Sequence, residues 1–286
     1  MPVAVGFGRE RENVEKDLKE PSAAYFALRM REIILRQSKR ANVGHIGSAL
    51  SIADLVAVLY SEVLRLTEPK NSDRDRFVLS KGHAALALYA ALHLTGVFDE
   101  ATLNTYCEDG SLLGVHPEHA LEGVDFCTGS LGMGFSFAVG AALAARLAGS
   151  KRRIFVLLSD AECNEGVVWE AALFAAHHKL SNLIALLDLN GQQAMGYTRE
   201  VLNLSPVSEK WKAFGWTAQD LDGHDHDEIC GAISEHDFVS APPKILVAKT
   251  TFGKGVSFME NLIPWHYLPL NDAQYIQAMG EIGAKP

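Results

Sequence analysis

The sequence lacks several features that mark special classes of protein. Its 286 residues include only four cysteines. None of them has CxxC pairing or metal-ligand spacing, so neither a disulfide framework nor a zinc module is predicted. The apolar stretch over residues 131–145 is too short to cross a bilayer and is rich in Gly and Ala, which is typical of a buried helix. The charged N-terminal segment does not resemble a secretory signal. These absences predict a cytoplasmic protein that does not enter a membrane.

Positive charge is also in deficit. The chain has 26 Lys and Arg against 35 Asp and Glu, for a formal net charge of −9 at pH 7. That balance disfavours binding to nucleic acid or to an anionic membrane surface. Hydrophobic residues make up 48% of the chain, which is ample for a core. No repeat or linker divides it, so we expect a polar arm over residues 1–20 and one domain over residues 21–286.

Apolar runs alternate with helical patterns along the chain. Residues 154–158 and 183–187 are typical of buried parallel strands, and residues 165–180 between them have helical periodicity. Further strands are predicted within residues 73–81, 217–221 and 243–250. This alternation predicts an α/β fold with a doubly wound, mostly parallel sheet that has helices on both faces.

Polar side chains follow the two central strands directly. Asp160 comes after the first of these strands, and Asn190 comes after the second. Because the carboxyl ends of parallel strands share one edge of the sheet, where ligands bind, we expect the two side chains to lie together. A carboxylate and an amide oxygen suit Mg²⁺ that holds a diphosphate.

The segment from Asp160 to Asn190 resembles the thiamine-diphosphate motif, and its flanks ECNEG and VWEAALFAAHHKL resemble transketolase. The resemblance implies thiamine diphosphate and Mg²⁺ as cofactors. The metal ligands would be Asp160, Asn190 and the backbone carbonyl of Gln192, and Ala161 and Glu162 would contact the cofactor. SDA replaces the usual GDG here, so the Ala161 methyl is compatible with a bound diphosphate only if its φ is negative.

Four histidines lie in loops that also resemble transketolase motifs. His45 is in GHIGS, His83 in SKGHA, His116 in VHPE, and His266 in the segment KTTFGKGVSFMENLIPWH. The resemblance implies that His83, His116 and His266 contact the cofactor. It also implies that His45, His116 and His266 are catalytic and contact the sugar. Imidazole suits both roles, because it exchanges protons and hydrogen bonds near neutral pH.

Two further features match the same family. The sequence GSLGMG resembles its GPLGQG, which implies that Gly129, Ser130 and Leu131 lie against the cofactor, although a glycine-rich helix entry can cradle other anions. Glu165 matches a family glutamate that links two active sites across a subunit interface, which implies a catalytic role. An acid favoured by the helix dipole explains Glu165 equally simply.

The resemblance extends over about residues 21–266 and corresponds only to the diphosphate-binding domain of transketolase. It therefore implies a partner, a separate C-terminal subunit that binds the pyrimidine, in an α2β2-like assembly. The pair would transfer a two-carbon ketol unit from a ketose or ketose phosphate to an aldose or aldose phosphate.

Two alternatives remain open at this point. The alpha subunit of a 2-oxo acid dehydrogenase shares the Mg²⁺ motif but not the four histidine motifs. The second alternative is a non-catalytic homologue that has lost cofactor binding, since the sequence SDA departs from the usual GDG motif.

Overall fold

The computed structural model describes residues 22–66 and 71–284, so the arm predicted over residues 1–20 lies outside the described residues. The helices are α1 (Ala23–Ala41), α2 (Ile46–Ser51), α3 (Ala53–Val58), α4 (Ala85–Leu94), α5 (Glu100–Leu103), α6 (Met133–Leu147), α7 (Gly166–His177), α8 (Thr198–Val201), α9 (Val207–Ala213), α10 (His226–Ser234) and α11 (Asp272–Glu281). The strands are β1 (Arg76–Leu79), β2 (Ile154–Ser159), β3 (Leu183–Leu189), β4 (Gln192–Gln193), β5 (Gly196–Tyr197), β6 (Thr217–Asp222) and β7 (Lys244–Lys249).

Five of these strands form one parallel sheet in the order β1-β2-β3-β7-β6. Ala185 at its centre pairs with Val156 on one side and with Ile245 on the other. Such central strands are covered on both faces, so their sequences are continuous apolar runs. The predicted α/β fold with a parallel sheet is confirmed. A short antiparallel pair, β4 with β5, is an addition that the sequence pattern did not predict.

Alternate strand residues build two separate hydrophobic cores. Phe155 and Leu157 pack against the face that carries α1, α3, α4 and α10. Ile154 and Val156 pack against the opposite face, which carries α6, α7 and α9. Because successive side chains point to opposite faces, each strand packs against both layers of helices. Among residues 22–66 and 71–284, no helix is both long enough and apolar enough to cross a membrane.

Helix α7, which connects β2 to β3, is shorter than its sequence pattern predicts. Lys179 takes a left-handed conformation with φ of 48°, and the N–H of Leu180 donates to the carbonyl of Ala175 at 3.1 Å. The left-handed residue and this hydrogen bond end the helix, and β3 begins three residues after Leu180. Because β2 and β3 are parallel, their carboxyl ends lie at the same edge of the sheet.

Candidate active site

The carboxyl ends of β2 and β3 meet at one edge of the sheet. The N–H of Asp160 donates to the carbonyl of Asp188 at 3.2 Å. In return, the N–H of Gly191, next to Asn190, donates to Asp160 Oδ2 at 2.8 Å. The residues predicted to share a metal ion are therefore neighbours on the same edge.

Asp160 is a buried carboxyl group that forms no direct ion pair with any of the residues that the structure describes. Its side chain is fully buried, and burial together with the nearby Asp188 carboxylate raises its pKa to about 7. Each carboxylate oxygen accepts one backbone N–H, from Ala161 or Gly191, and keeps a free lone pair. A divalent cation would relieve the repulsion between the two carboxylates, so the donor set fits Mg²⁺.

A buried network holds Asn190 in place. Lys81, which is 1% exposed, donates to Asp188 Oδ2 at 2.5 Å. Asn190 Nδ2 donates to the same oxygen at 2.7 Å, and its Oδ1 accepts the N–H of Gln192 at 2.9 Å. Ser51 donates to Asp188 Oδ1 at 2.7 Å. These hydrogen bonds fix the position of the Asn190 side chain, which lines a cavity at this edge of the sheet.

Glu162 is buried beneath this edge and connects three elements. Its Oε1 accepts the Ser80 hydroxyl at 2.6 Å and the N–H of Gly132 at 2.8 Å, and its Oε2 accepts the N–H of Ser159 at 2.9 Å. Burial raises the pKa of this carboxyl. Glu162 thereby joins the ends of β1 and β2 to the start of α6, and its predicted contact with the cofactor stays a prediction.

The glycine-rich entry to α6 borders a cavity. Gly132 has φ of +82°, and a Cβ there would lie 2.6 Å from Val167, so only glycine fits. Gly129 and Leu131 line the cavity, whereas Ser130 is exposed on the turn between them and is not part of the lining. Among the described residues Ala161 is not one of the non-glycine positions with positive φ. Ala161 therefore has the negative φ at which its methyl group is compatible with a bound diphosphate.

All four predicted histidines line this cavity, whose volume is about 810 Å³. The ring centroids of His45, His83 and His266 lie 5.3–5.7 Å apart. His116 reaches the cavity from the long loop before α6, and its Cδ2 lies 3.4 Å from where a Cβ on Gly129 would be. Buried Nδ1 atoms of His45 and His266 have no hydrogen-bond partner within the described structure, so both nitrogens are available to a ligand.

The surroundings of the four rings favour their neutral form. Burial lowers the pKa of His45 and His116. It lowers that of His83 further, with help from the Lys81 ammonium group. Burial and the neighbouring His45 lower the pKa of His266 to about 4. A neutral imidazole offers one donor and one acceptor, which suits hydroxyl groups.

We expect replacement of His266 by glutamine to reduce the pH dependence of stability. The folded pKa of about 4 lies below the unfolded value near 6.5. The neutral ring therefore stabilises the fold above the unfolded pKa, and this contribution is lost as pH falls from 6.5 through 4. Between pH 7.5 and 4.5 the wild type should lose about 2–3 kcal/mol more free energy of unfolding than the variant.

Urea unfolding at both pH values measures this difference. The matched control is His177→Gln, because His177 is exposed at the end of α7. Equal pH dependence in wild type and His266→Gln would contradict the prediction.

The β4–β5 hairpin forms one wall of the cavity mouth. Gln192 is 5% exposed, and neither amide atom of its side chain has a hydrogen-bond partner within the described residues. Tyr267, beside His266, donates its hydroxyl to the carbonyl of Ala194 at 2.8 Å and so connects the hairpin to the segment that carries His266. Glu165 is exposed and occupies the N-cap position of α7, but its side chain makes no capping hydrogen bond. Glu165 lines the cavity, and its side chain has no hydrogen-bond partner among residues 22–66 and 71–284.

Comparisons with known proteins point to one family. The family model described as transketolase, thiamine diphosphate binding domain, matches residues 24–286. The chain is 40% identical over 257 residues to a 6-deoxy-6-sulfo-D-fructose transketolase subunit of Clostridium sp. (strain MSTE9), with 88% of this chain and 93% of that protein covered. It is 37% identical over 248 residues to a subunit of the apulose-4-phosphate transketolase of Phocaeicola vulgatus, with 86% and 88% covered.

Among solved structures, the transketolase from Leishmania mexicana matches with a TM-score of 0.88 and 30% identity. The match covers 94% of this chain and 42% of that one. The chain thus spans about two fifths of the length of the solved transketolase that it matches.

Proposed function

Because the chain belongs to the family of transketolase thiamine-diphosphate-binding domains, we propose that residues 21–286 form the diphosphate-binding subunit of a two-chain transketolase. The enzyme depends on thiamine diphosphate and Mg²⁺. It transfers a two-carbon ketol unit from a ketose or its phosphate to an aldose or its phosphate. The neighbouring strand ends of β2 and β3, below a cavity lined by four histidines, carry this proposal.

The strand ends are the proposed metal and diphosphate site. Asp160 and Asn190 hold Mg²⁺ through side-chain oxygens, and Gln192 holds it through its backbone carbonyl. The raised pKa of Asp160 supports this assignment, because a cation nearby favours the charged carboxylate that burial disfavours. Ala161 adds a backbone N–H at the start of a short 3₁₀ helix and has a compatible φ. Glu162 supports these groups from below.

The histidines divide into two proposed roles. His83 and His116 donate hydrogen bonds to the cofactor diphosphate, and His266 lies close enough to His83 to join them. His45, His116 and His266 hydrogen-bond the hydroxyl groups of the sugar and exchange protons with them. Their lowered pKa values favour neutral rings, each of which can accept a proton and donate another. When bound, the cofactor supplies the nucleophilic carbon that breaks and forms C–C bonds.

The glycine-rich entry to α6 and the mouth of the cavity complete the assignment. Gly129 and Leu131 are proposed to lie against the cofactor rings, with Ser130 at the turn between them. Glu165 is exposed at the mouth, where it can reach a second protein chain, and we assign it the link between two active sites.

A second polypeptide is part of the proposal. The relatives from Clostridium and Phocaeicola are named as transketolase subunits, and the chain covers 93% and 88% of their lengths. We infer a C-terminal subunit that binds the pyrimidine and an α2β2-like complex in the cytoplasm. Four histidines around one cavity support ketol transfer over a 2-oxo acid dehydrogenase, and the negative φ of Ala161 supports a subunit that binds its cofactor.

The test is reconstitution with the candidate C-terminal subunit. We expect no turnover by this chain alone, and ketol transfer from xylulose 5-phosphate, 6-deoxy-6-sulfo-D-fructose or apulose 4-phosphate when both subunits, thiamine diphosphate and Mg²⁺ are present. Decarboxylation of pyruvate by the pair would favour the dehydrogenase alternative. Loss of thiamine diphosphate from the pair on dialysis would favour a non-catalytic homologue, and robust transfer by the single chain would contradict the two-chain proposal.

A further inference from the structure

Three side chains outside the proposed active site converge on the long loop before α6. They are Glu118, His119 and Cys127, here called the Cys127 cluster. His119 Nδ1 lies 2.8 Å from Glu118 Oε1, and Cys127 Sγ lies 2.9 Å from His119 Nδ1 and 3.1 Å from Glu118 Oε1. One sulfur, one nitrogen and one oxygen ligand atom therefore lie together. We propose that the Cys127 cluster is a binding site for Zn²⁺ or another borderline divalent cation.

The donor set determines which ion fits. Zinc takes thiolate sulfur at about 2.3 Å and imidazole nitrogen or carboxylate oxygen at about 2.0–2.2 Å. An ion at these distances can sit directly above the triangle of the three atoms after side-chain shifts of well under about 1 Å, with a fourth position left for water. Magnesium requires oxygen ligands, so it does not suit this site. The cluster thus differs in chemistry from the strand-end site around Asp160.

Backbone groups support negative charge on two of the three ligands. The N–H of His119 donates to Cys127 Sγ at 3.2 Å, and the N–H of Ala120 approaches Glu118 Oε1 at 3.4 Å. Hydrogen bonds of this kind orient metal ligands and stabilise a bound thiolate. Without metal the thiol donates its proton to Glu118 Oε1 in a hydrogen bond. Binding one cation therefore forms the sulfur–metal bond and releases the thiol proton.

An ion bound by the Cys127 cluster would connect two segments of the loop before α6. It joins residues 118–119 to residue 127 and so closes the loop between them. His116 lies two residues before the cluster and Gly129 two residues after it, and both line the large cavity. A bound cation would therefore restrict the segment that connects His116 to Gly129, and with it the positions of both residues in the cavity wall. The side chain of His119 is 71% exposed, so the ion can enter directly from solvent.

Co²⁺ serves as the spectroscopic probe for the full-length chain in excess Mg²⁺. We expect one equivalent to bind with a sulfur-to-cobalt charge-transfer absorption, to release one proton at neutral pH, and to be displaced by Zn²⁺. Cys127→Ser should abolish the absorption. His119→Gln, at an exposed position that does not threaten folding, should weaken Co²⁺ binding about tenfold or more. The matched control is Cys107→Ser, a half-buried cysteine outside the cluster, which should bind like the wild type.

The absorption band separates this site from the histidine cavity, because cobalt bound by His45, His83 and His266 alone would lack sulfur ligation. Absence of the band in the wild type, its persistence in Cys127→Ser, or unchanged affinity in His119→Gln would each overturn the proposal. None of these readouts uses thiamine diphosphate or ketol transfer, so failure here is distinct from failure of the proposed function.

Discussion

Replacing Asp160 with alanine is expected to weaken Mg²⁺-dependent binding of thiamine diphosphate about 100-fold or more. Mutation of a residue that only supports metal ligands typically costs 10–100-fold, and Asp160 is proposed to be a ligand itself. Isothermal titration calorimetry of the reconstituted pair, in Mg²⁺ and in EDTA, measures the effect. Asn190→Ala should give a similar loss through an independent variant. Asp222→Ala, which removes a carboxylate that ends the edge strand β6, is the matched control and should bind like the wild type.

The same substitution has an expected signature in the chain without cofactor. The folded pKa of Asp160, about 7, lies above its unfolded value near 3.9. A raised pKa contributes stability that is present below the unfolded pKa and is lost as pH rises through 7. The wild type should therefore lose on the order of 4 kcal/mol more than Asp160→Ala between pH 4 and pH 8. Parallel stability curves would contradict the raised pKa of Asp160, and calorimetric affinity that is unchanged in the variant would remove Asp160 from the metal site.

Replacing Lys81 with methionine is expected to destabilise the protein by about 3–5 kcal/mol. Lys81 and Asp188 are 1% and 0% exposed, so the substitution leaves a buried carboxylate without its counter-charge. Methionine keeps most of the side-chain volume, so the cost reflects the lost charge rather than a cavity. Because Ser51, Thr250 and Asn190 still donate to Asp188, we expect the lower end of this range.

Urea denaturation monitored by tryptophan fluorescence gives the free energy of unfolding. Adding Asp188→Asn to the Lys81→Met variant should recover part of the loss, since it removes the unpaired charge. Lys151→Met is the control, because Lys151 is exposed and its replacement should change stability by less than about 0.5 kcal/mol. A cost below about 1 kcal/mol for Lys81→Met would show that Asp188 is stabilised by its hydroxyl and amide donors alone.

The central sheet and the edge that carries the site could be predicted from local patterns. Apolar runs such as residues 154–158 and 183–187 specify buried strands because both faces of a parallel sheet are covered. The shared direction of parallel strands then determines that Asp160 and Asn190 meet. The four histidines followed from their motifs rather than from physical pattern, and the structure places them around one cavity.

Contacts between segments far apart in the chain could not be predicted in this way. The Lys81–Asp188 pair joins residues 107 positions apart. Its only local signals were a lysine just after a buried strand and an aspartate inside an apolar one. The β4–β5 hairpin begins with two glutamines and has too few residues for an alternating pattern. Cysteine spacing likewise gave no indication of the Cys127 cluster, because its ligands come from both ends of a loop and only the fold brings them together.

Under the proposed function, the buried carboxylate at the end of β2 would couple the lifetime of the chain to the supply of its cofactor. Burial disfavours the charged form of Asp160 in the protein alone, and the proposed binding of Mg²⁺ with thiamine diphosphate would add stability in proportion to the logarithm of ligand concentration. Copies without cofactor would unfold more often and would be degraded first. The burial of Asp160 would thus match the amount of protein to the vitamin-derived cofactor that the proposed function requires.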